Sequence, residues 1–235
     1  PDSGLPGHAD LLGPEFAIYT ASSAVRRVNF VDQLVYRGLA TGTNAPAGTS
    51  LDFYWLAPLA SDPLALVSEV DRRLLQGTMS PSMRSQVLTA VTAEAFRQFS
   101  AMMRTAIEKP SKQSKLSRFA QLTLDFGLRR NGIYRLMFAS RTMACAAKGS
   151  ELHSAAMETF ELLVEALEAP AVGLLRERSA LKIWASLHGV VMLAEQGLLT
   201  GQVAHVSREE LVEDIVEEAK LALSVAIEAA SKPTL

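Results

Sequence analysis

The sequence predicts an all-α protein, a multi-helix bundle, and three observations predict it. Apolar residues recur at helical rather than strand spacing over most of the chain. Helix start signals, Asp-Pro and Ser-Pro among them, stand directly before those runs. From Leu116 onward, proline occurs only at Pro170 and Pro233, so little interrupts a helix there. No stretch shows convincing strand alternation.

Five to eight helices account for most of the chain. Loop-like Gly/Pro-containing runs at Pro1–Gly13 and Thr41–Ser50 flank a first helix over Glu15–Leu39, which places Phe16, Tyr19, Val28, Val31 and Val35 near one face. A second helix covers Asp62–Gln76. It opens with an Asp cap and a proline at the first helical position, and Gly77 stops it. Ser80-Pro81 repeats the start signal and leads into a long helix to Glu108, which Lys109-Pro110-Ser111 breaks. Further helices follow over Leu116–Arg130, Ile133–Thr142, Ser150–Glu168, Arg178–Gly197 and Ser207–Ala230. The last begins with Ser207 and, three residues on, Glu210, a reciprocal N-terminal cap.

Composition narrows the function classes. With 235 residues, 49% of them hydrophobic and 20% charged, the chain is a folded one and not generally disordered. A net charge of −2 excludes a uniformly basic nucleic-acid binder. Cys145 is the single cysteine, so neither an intrachain disulfide nor a thiolate zinc site is available. No apolar run approaches the ~20 residues of a membrane span. The chain opens at Pro1 without a signal region, as expected of a trimmed or partial chain. Charge is sorted along the sequence: Arg97–Lys148 holds eleven Lys/Arg against two acids, and Ser207–Ala230 holds seven acids against two bases. Such sorting fits solvated helix faces of opposite sign, or a basic patch for an anionic ligand; periodicity does not choose.

The chemistry-bearing motifs of catalysis are missing. There is no G-x-S-x-G elbow, no phosphate-binding glycine loop and no H-E-x-x-H pair. His8, His153, His188 and His205 lie far apart, so neither a metal nor a cofactor is expected, and no residue is assigned a catalytic role. Trp184 and His188 sit one helical turn apart and share a face. Such a pair is either a core tryptophan beside a satisfied histidine, or an indole wall and one polar contact inside an apolar pocket. Met102, Met103, Met137, Met157 and Met192 join Phe99, Phe119, Phe126, Phe138 and Phe160 as interior residues, forming either an ordinary core or an adaptable cavity lining. Arg135 and the Arg129-Arg130 pair are placed to steer an anionic head group toward such a cavity.

Three stretches in order carry a resemblance: Leu88–Thr105 (LTAVTAEAFRQFSAMMRT), Asn131–Phe138 (NGIYRLMF) and Leu181–Leu198 (LKIWASLHGVVMLAEQGL), the last with Trp184, His188 and Gly189. The chain from about Leu88 onward resembles the ligand-binding and dimerisation domain of TetR-family transcription regulators, in the subgroup with a Trp-His-Gly signature. That likeness implies an effector-binding, homodimeric helical domain of the cytoplasm. A regulator of this kind carries a helix-turn-helix headpiece ahead of the long helix. None is found here, and residues 51–83 have four acids against two arginines, so they lack the counterion-release gain of phosphate contact. Leu12–Phe16 (LGPEF), Thr20–Phe30 (TASSAVRRVNF) and Leu74–Pro81 (LLQGTMSP) resemble instead the C-terminal end of a bacterial domain-of-unknown-function family, number eighteen hundred, whose members are often exported.

These readings give two expected parts, a helical and loop segment over 1–87 and a sensor domain over 88–235. A small, largely apolar ligand is expected among Phe99, Met103, Phe126, Met137, Phe138, Phe160, Trp184, His188 and Met192, in a chamber of roughly 300 Å³ or more. A homodimer is expected through the helices at about 178–198 and 207–230, with no membrane partner and with direct DNA binding in doubt. The alternatives are a ligand-free helical interaction module left by a fusion, or a fragment of an exported protein.

Overall fold

The computed structural model describes Asn29 and residues 52–168, 174–199 and 206–231. The helix expected over Glu15–Leu39 lies outside them, apart from Asn29, which is helical and exposed. Two compact units divide the chain, Pro1–Ala57 and Pro58–Leu235. The second holds all the described residues except Asn29 and residues 52–57. The boundary expected between residues 87 and 88 falls inside an unbroken helix of it.

A 3-10 turn at Tyr54–Leu59 leads to eight α-helices among the described residues, with no strand among them: α1 (Pro63–Leu74), α2 (Pro81–Glu108), α3 (Lys115–Arg129), α4 (Asn131–Phe138), α5 (Arg141–Ala144), α6 (Glu151–Ala166), α7 (Leu174–Glu195) and α8 (Arg208–Ser231). The protein is all-α, as the sequence predicts. The caps explain most of the boundaries. Asp62 accepts hydrogen bonds from the amides of Leu64 and Ala65 at the start of α1. Ser80, Ser114 and Ser150 do the same for α2, α3 and α6. At α8 the cap is reciprocal: the Glu210 amide donates to Ser207 Oγ at 3.1 Å, and the Ser207 amide donates to Glu210 Oε2 at 2.8 Å.

Two boundaries differ from expectation. Ile133–Thr142 is not one helix. The chain leaves the helix at Ala139, and Ser140 caps the separate turn α5 by accepting from the Thr142 amide, while its own hydroxyl donates to the Leu136 carbonyl. α7 also begins at Leu174, earlier than Arg178. Nor are all the methionines interior: Met102 and Met157 are exposed, on the outward faces of α2 and α6.

α2 and α6 run against each other over most of their length. Between them Ser100 and Thr159, both buried, share a 2.7 Å hydrogen bond, and Arg104 reaches Glu158 at 2.7 Å along the edge. α3 and α4 pack over the same core, and α7 and α8 cover it from the C-terminal part of the chain. At the crossing of α3 and α7 only a glycine fits: a Cβ on Gly127 would sit 2.5 Å from Val191 Cγ1. α1 is held separately. Val67 meets Leu88 of α2 and Leu136 of α4 in a small second cluster. The buried carboxylate of Asp71 accepts from the Met79 amide at 2.9 Å and from Arg84 at 3.2 Å. A Cβ on Gly132 would lie 2.5 Å from the Ala60 carbonyl oxygen, so the chain entering α1 rests directly on the first turn of α4.

The Gly127 contact makes a measurable prediction. Val191 is β-branched and buried, so it cannot swing clear of a new methyl group. Gly127→Ala should therefore destabilise by about 1–3 kcal/mol, the usual range for overpacking, despite alanine's better helix propensity. A lowered urea midpoint at unchanged slope is the expected result.

Candidate functional site

Aromatic side chains of α2, α4 and α7 converge on Phe138, at the end of α4. Its ring meets Phe96 of α2 edge-on at 5.3 Å and Trp184 of α7 edge-on at 5.3 Å, and lies 4.8 Å from Tyr134 one turn earlier. Phe99 lies 4.6 Å from Phe126, and Trp184 lies 5.9 Å from Phe160 of α6. Edge-to-face contacts of this kind add about 0.5–1.5 kcal/mol each beyond area burial.

The packing leaves little space. Phe99, Phe119, Phe138, Phe160 and Trp184 surround a void of about 20 Å³. That is room for about one water molecule, far below the roughly 300 Å³ a small organic ligand needs. No chamber of the size expected from the sequence lies among these rings. The void's inner wall is made of buried residues, whereas Phe138, Phe160 and Trp184 are only partly buried.

The nine residues expected to hold a ligand fall into separate places. Phe99, Phe138, Phe160 and Trp184 line the void. Met103 and Met137 are wholly buried in the surrounding core. Phe126 lies beneath the Arg130 guanidinium, 5.7 Å from its ring centre, at the floor of a shallow groove between α2 and α3. Met192 belongs to a wider cleft of about 810 Å³, bordered by the start of α1, by α4 and α5, and by the end of α7. His188 is spent on Tyr134: its Nδ1 and the phenol oxygen are 3.1 Å apart, and the two rings are stacked.

Tyr134 was not among the expected site residues, yet it is completely buried and ties α4 to α7. Burial pushes its phenol above the usual range and holds the His188 imidazole below its ordinary 6.5. Both are therefore neutral at pH 7, a polar pair closed on itself among aromatic rings. The sequence signal existed, since Tyr134 and Phe138 are four apart on one helix face.

Four of the eleven basic residues between Arg97 and Lys148 are paired with acids packed beside them. Arg97 pairs with Glu94, Arg104 with Glu158, Lys115 with Glu165 and Glu168, and Arg135 with Glu195. Among the described residues no three His, Cys, Asp or Glu side chains gather as a metal site would require. No described helix is long and apolar enough to cross a membrane.

Residues 116–219 match the family model described as the tetracyclin repressor-like C-terminal domain. The matched segment runs from α3 into α8 and contains Tyr134, Phe138, Trp184 and His188. Two solved structures share the fold. One is a protein of unknown function from Rhodococcus sp. RHA1, with a TM-score of 0.56 and 19% identity over 71% of this chain and 89% of that one. The other is the SCO4313 protein, described as regulatory, with a TM-score of 0.52 and 21% identity over 71% of this chain and 90% of that one. None of the curated proteins matches the chain.

The Tyr134–His188 pair gives this helical unit a distinct pH response. The folded state holds the imidazole below 6.5, so on acidification the unfolded state takes up this proton first. The contribution is fully present above the unfolded pKa and is lost as pH falls toward the folded value. The urea midpoint of the wild type should drop as pH falls through 6.5 more steeply than that of His188→Gln. Equal slopes in the two proteins would show that His188 titrates as in the unfolded chain.

Proposed function

We propose that residues 88–235 act as the effector-sensing and dimerising part of a TetR-like transcription regulator in the cytoplasm, without direct duplex contact by this chain. The observation that carries the reading is a pair of uncovered apolar ridges on neighbouring helices within the matched region and just beyond it. On α7 an i, i+4 row runs through Leu181, Ala185, Gly189 and Leu193, with Leu181 55% and Leu193 42% exposed. On α8 the corresponding row is Leu221, Val225 and Ala229, with Leu221 67% and Val225 58% exposed. Nothing lies within 4 Å of a Cβ built on Gly189, so the row has a low point that no part of the described protomer fills. A second copy bringing the same two helices across a two-fold axis would cover both rows in a four-helix interface. Residues 52–87 add no recognition helix to the described structure beyond α1 and the first turns of α2, and their excess of acid disfavours phosphate contact.

Sensing follows if a small apolar molecule opens the aromatic void. The ligand would displace the half-buried rings of Phe160 and Trp184, and binding would shift the domain only through its higher affinity for that open state. Calorimetry or native mass spectrometry against a panel of hydrophobic small molecules tests this. Binding that quenches Trp184 in a Trp55→Phe background supports it, and no binder at about millimolar concentration overturns it. A second reading, a helical dimerisation module with no ligand, is favoured by the 20 Å³ size of the void.

Dimerisation has its own test. Gly189→Leu should leave the protomer folded, because the added side chain enters open space and helix propensity improves by about 1 kcal/mol. The same change should weaken self-association at least about 100-fold by filling the low point of the interface. Sedimentation equilibrium of both proteins reads the outcome; a wild type that is monomeric at about micromolar concentration sinks the proposed interface.

A further inference from the structure

We propose that the cleft between α1, α4, α5 and α7 is a binding site for a small amphiphilic carboxylate, separate from the aromatic void. At about 810 Å³ the cleft is within the range of small-molecule sites, whereas the void is not. Its floor is apolar, with Leu136 buried and Met192 half-buried, and its rim carries four charges.

Those charges are not equivalent. The Asp62 carboxylate already accepts from the amides of Leu64 and Ala65 and stands at the positive end of α1. Glu195 is largely buried and lies 3.5 Å from the Arg135 guanidinium, so that pair neutralises itself. Arg141 takes part in no ion pair among the described residues. One guanidinium is thus left over in a cleft whose lining also includes Leu136 and Met192. A guanidinium offers a planar fork of donors that a carboxylate meets with two parallel hydrogen bonds. A dianionic phosphate suits the site less, because Asp62 and Glu195 on the same rim repel a second negative charge. The apolar body of the ligand would lie on Leu136 and Met192.

The location matters as much as the chemistry. One wall of the cleft is Ser61–Leu64, the chain entering α1, which rests on α4 at Gly132. A ligand held by Arg141 would bridge this segment to α4 and α7. Occupancy would therefore protect the amides at the start of α1 from hydrogen exchange.

The test is a titration of the full chain with straight-chain monocarboxylates from butanoate to decanoate, followed by the Met192 methyl resonance. The matched primary alcohols, alkylamines and alkyl phosphates serve as comparison probes. The carboxylates should bind, and should bind at least about tenfold more tightly than any comparison probe. Arg141→Gln, a change at an exposed position, should weaken carboxylate binding at least about tenfold, Arg141→Lys should fall between, and Arg129→Gln should match the wild type. The inference is overturned if no carboxylate shifts the resonance at about millimolar concentration. It is also overturned if alcohols, amines or phosphates bind equally well, or if Arg141→Gln binds like the wild type. Dimerisation and the Trp184 response are separate readouts, so failure here is distinguishable from failure of the sensor reading.

Discussion

The packing of Phe138 against rings from α2 and α7 is the contact on which the rest of this unit depends. α4 is only eight residues long, too short to be stable alone, and the N-cap residue before it, Arg130, makes no side-chain cap. Tertiary burial must hold it. Tyr134, Leu136 and Met137 are buried on three sides of the helix, and Phe138 at its end completes the contact with Phe96 and Trp184. Because α4 also supplies the seat for α1 at Gly132 and one wall of the open cleft, its position governs both. Ion pairs cannot do this work. The pairs around the bundle are mostly exposed, and solvent screening leaves each worth less than burial of one aromatic ring.

The same contact explains why the aromatic void is small. Rings that meet edge-on at 5.3 Å fill space with little waste, and a void of about 20 Å³ is what remains where curved surfaces fail to mesh. Enlarging it means giving up ring contacts on one side. The cost falls on the outer rings, Phe160 and Trp184, which share their exposure with solvent and have less to lose than Phe96 or Tyr134. A ligand entering here must bring apolar surface enough to replace those contacts.

The helices were legible in the sequence because their signals are local. Asp62-Pro63, Ser80-Pro81 and the Ser207/Glu210 box place helix starts that the structure reproduces within a residue. The break between α4 and α5 was not legible. It depends on the Ser140 hydroxyl turning back to the Leu136 carbonyl, which composition does not announce. Met102 and Met157 misled for a related reason: hydrophobicity says that a residue prefers burial, and only the crossing of α2 and α6 decides which face obtains it. His188 was legible as the polar member of an apolar face. Its partner Tyr134 lies 54 residues away, a separation at which periodicity carries no information. The cleft was the least legible feature, since it is made by the ends of four elements, none of which has a motif.

α7 draws these strands together. Its sequence is apolar nearly all round, a pattern that signals burial on more than one side. Ile183, Leu187 and Val191 face the core, with Val191 pressed on Gly127. The Leu181–Ala185–Gly189–Leu193 row stays uncovered in the protomer, and Met192 with Glu195 borders the cleft. A helix with one hydrophobic duty would have kept a polar face, as α3 does. α7 has instead a core to close, a row to present and a floor to supply, and its residues are divided among those three surfaces in about six turns. Any shift of α7 that admitted a ligand beside Trp184 would also move the row and the floor, because all three ride on one rigid element. That mechanical linkage is what a binding event in such a domain has available to act through.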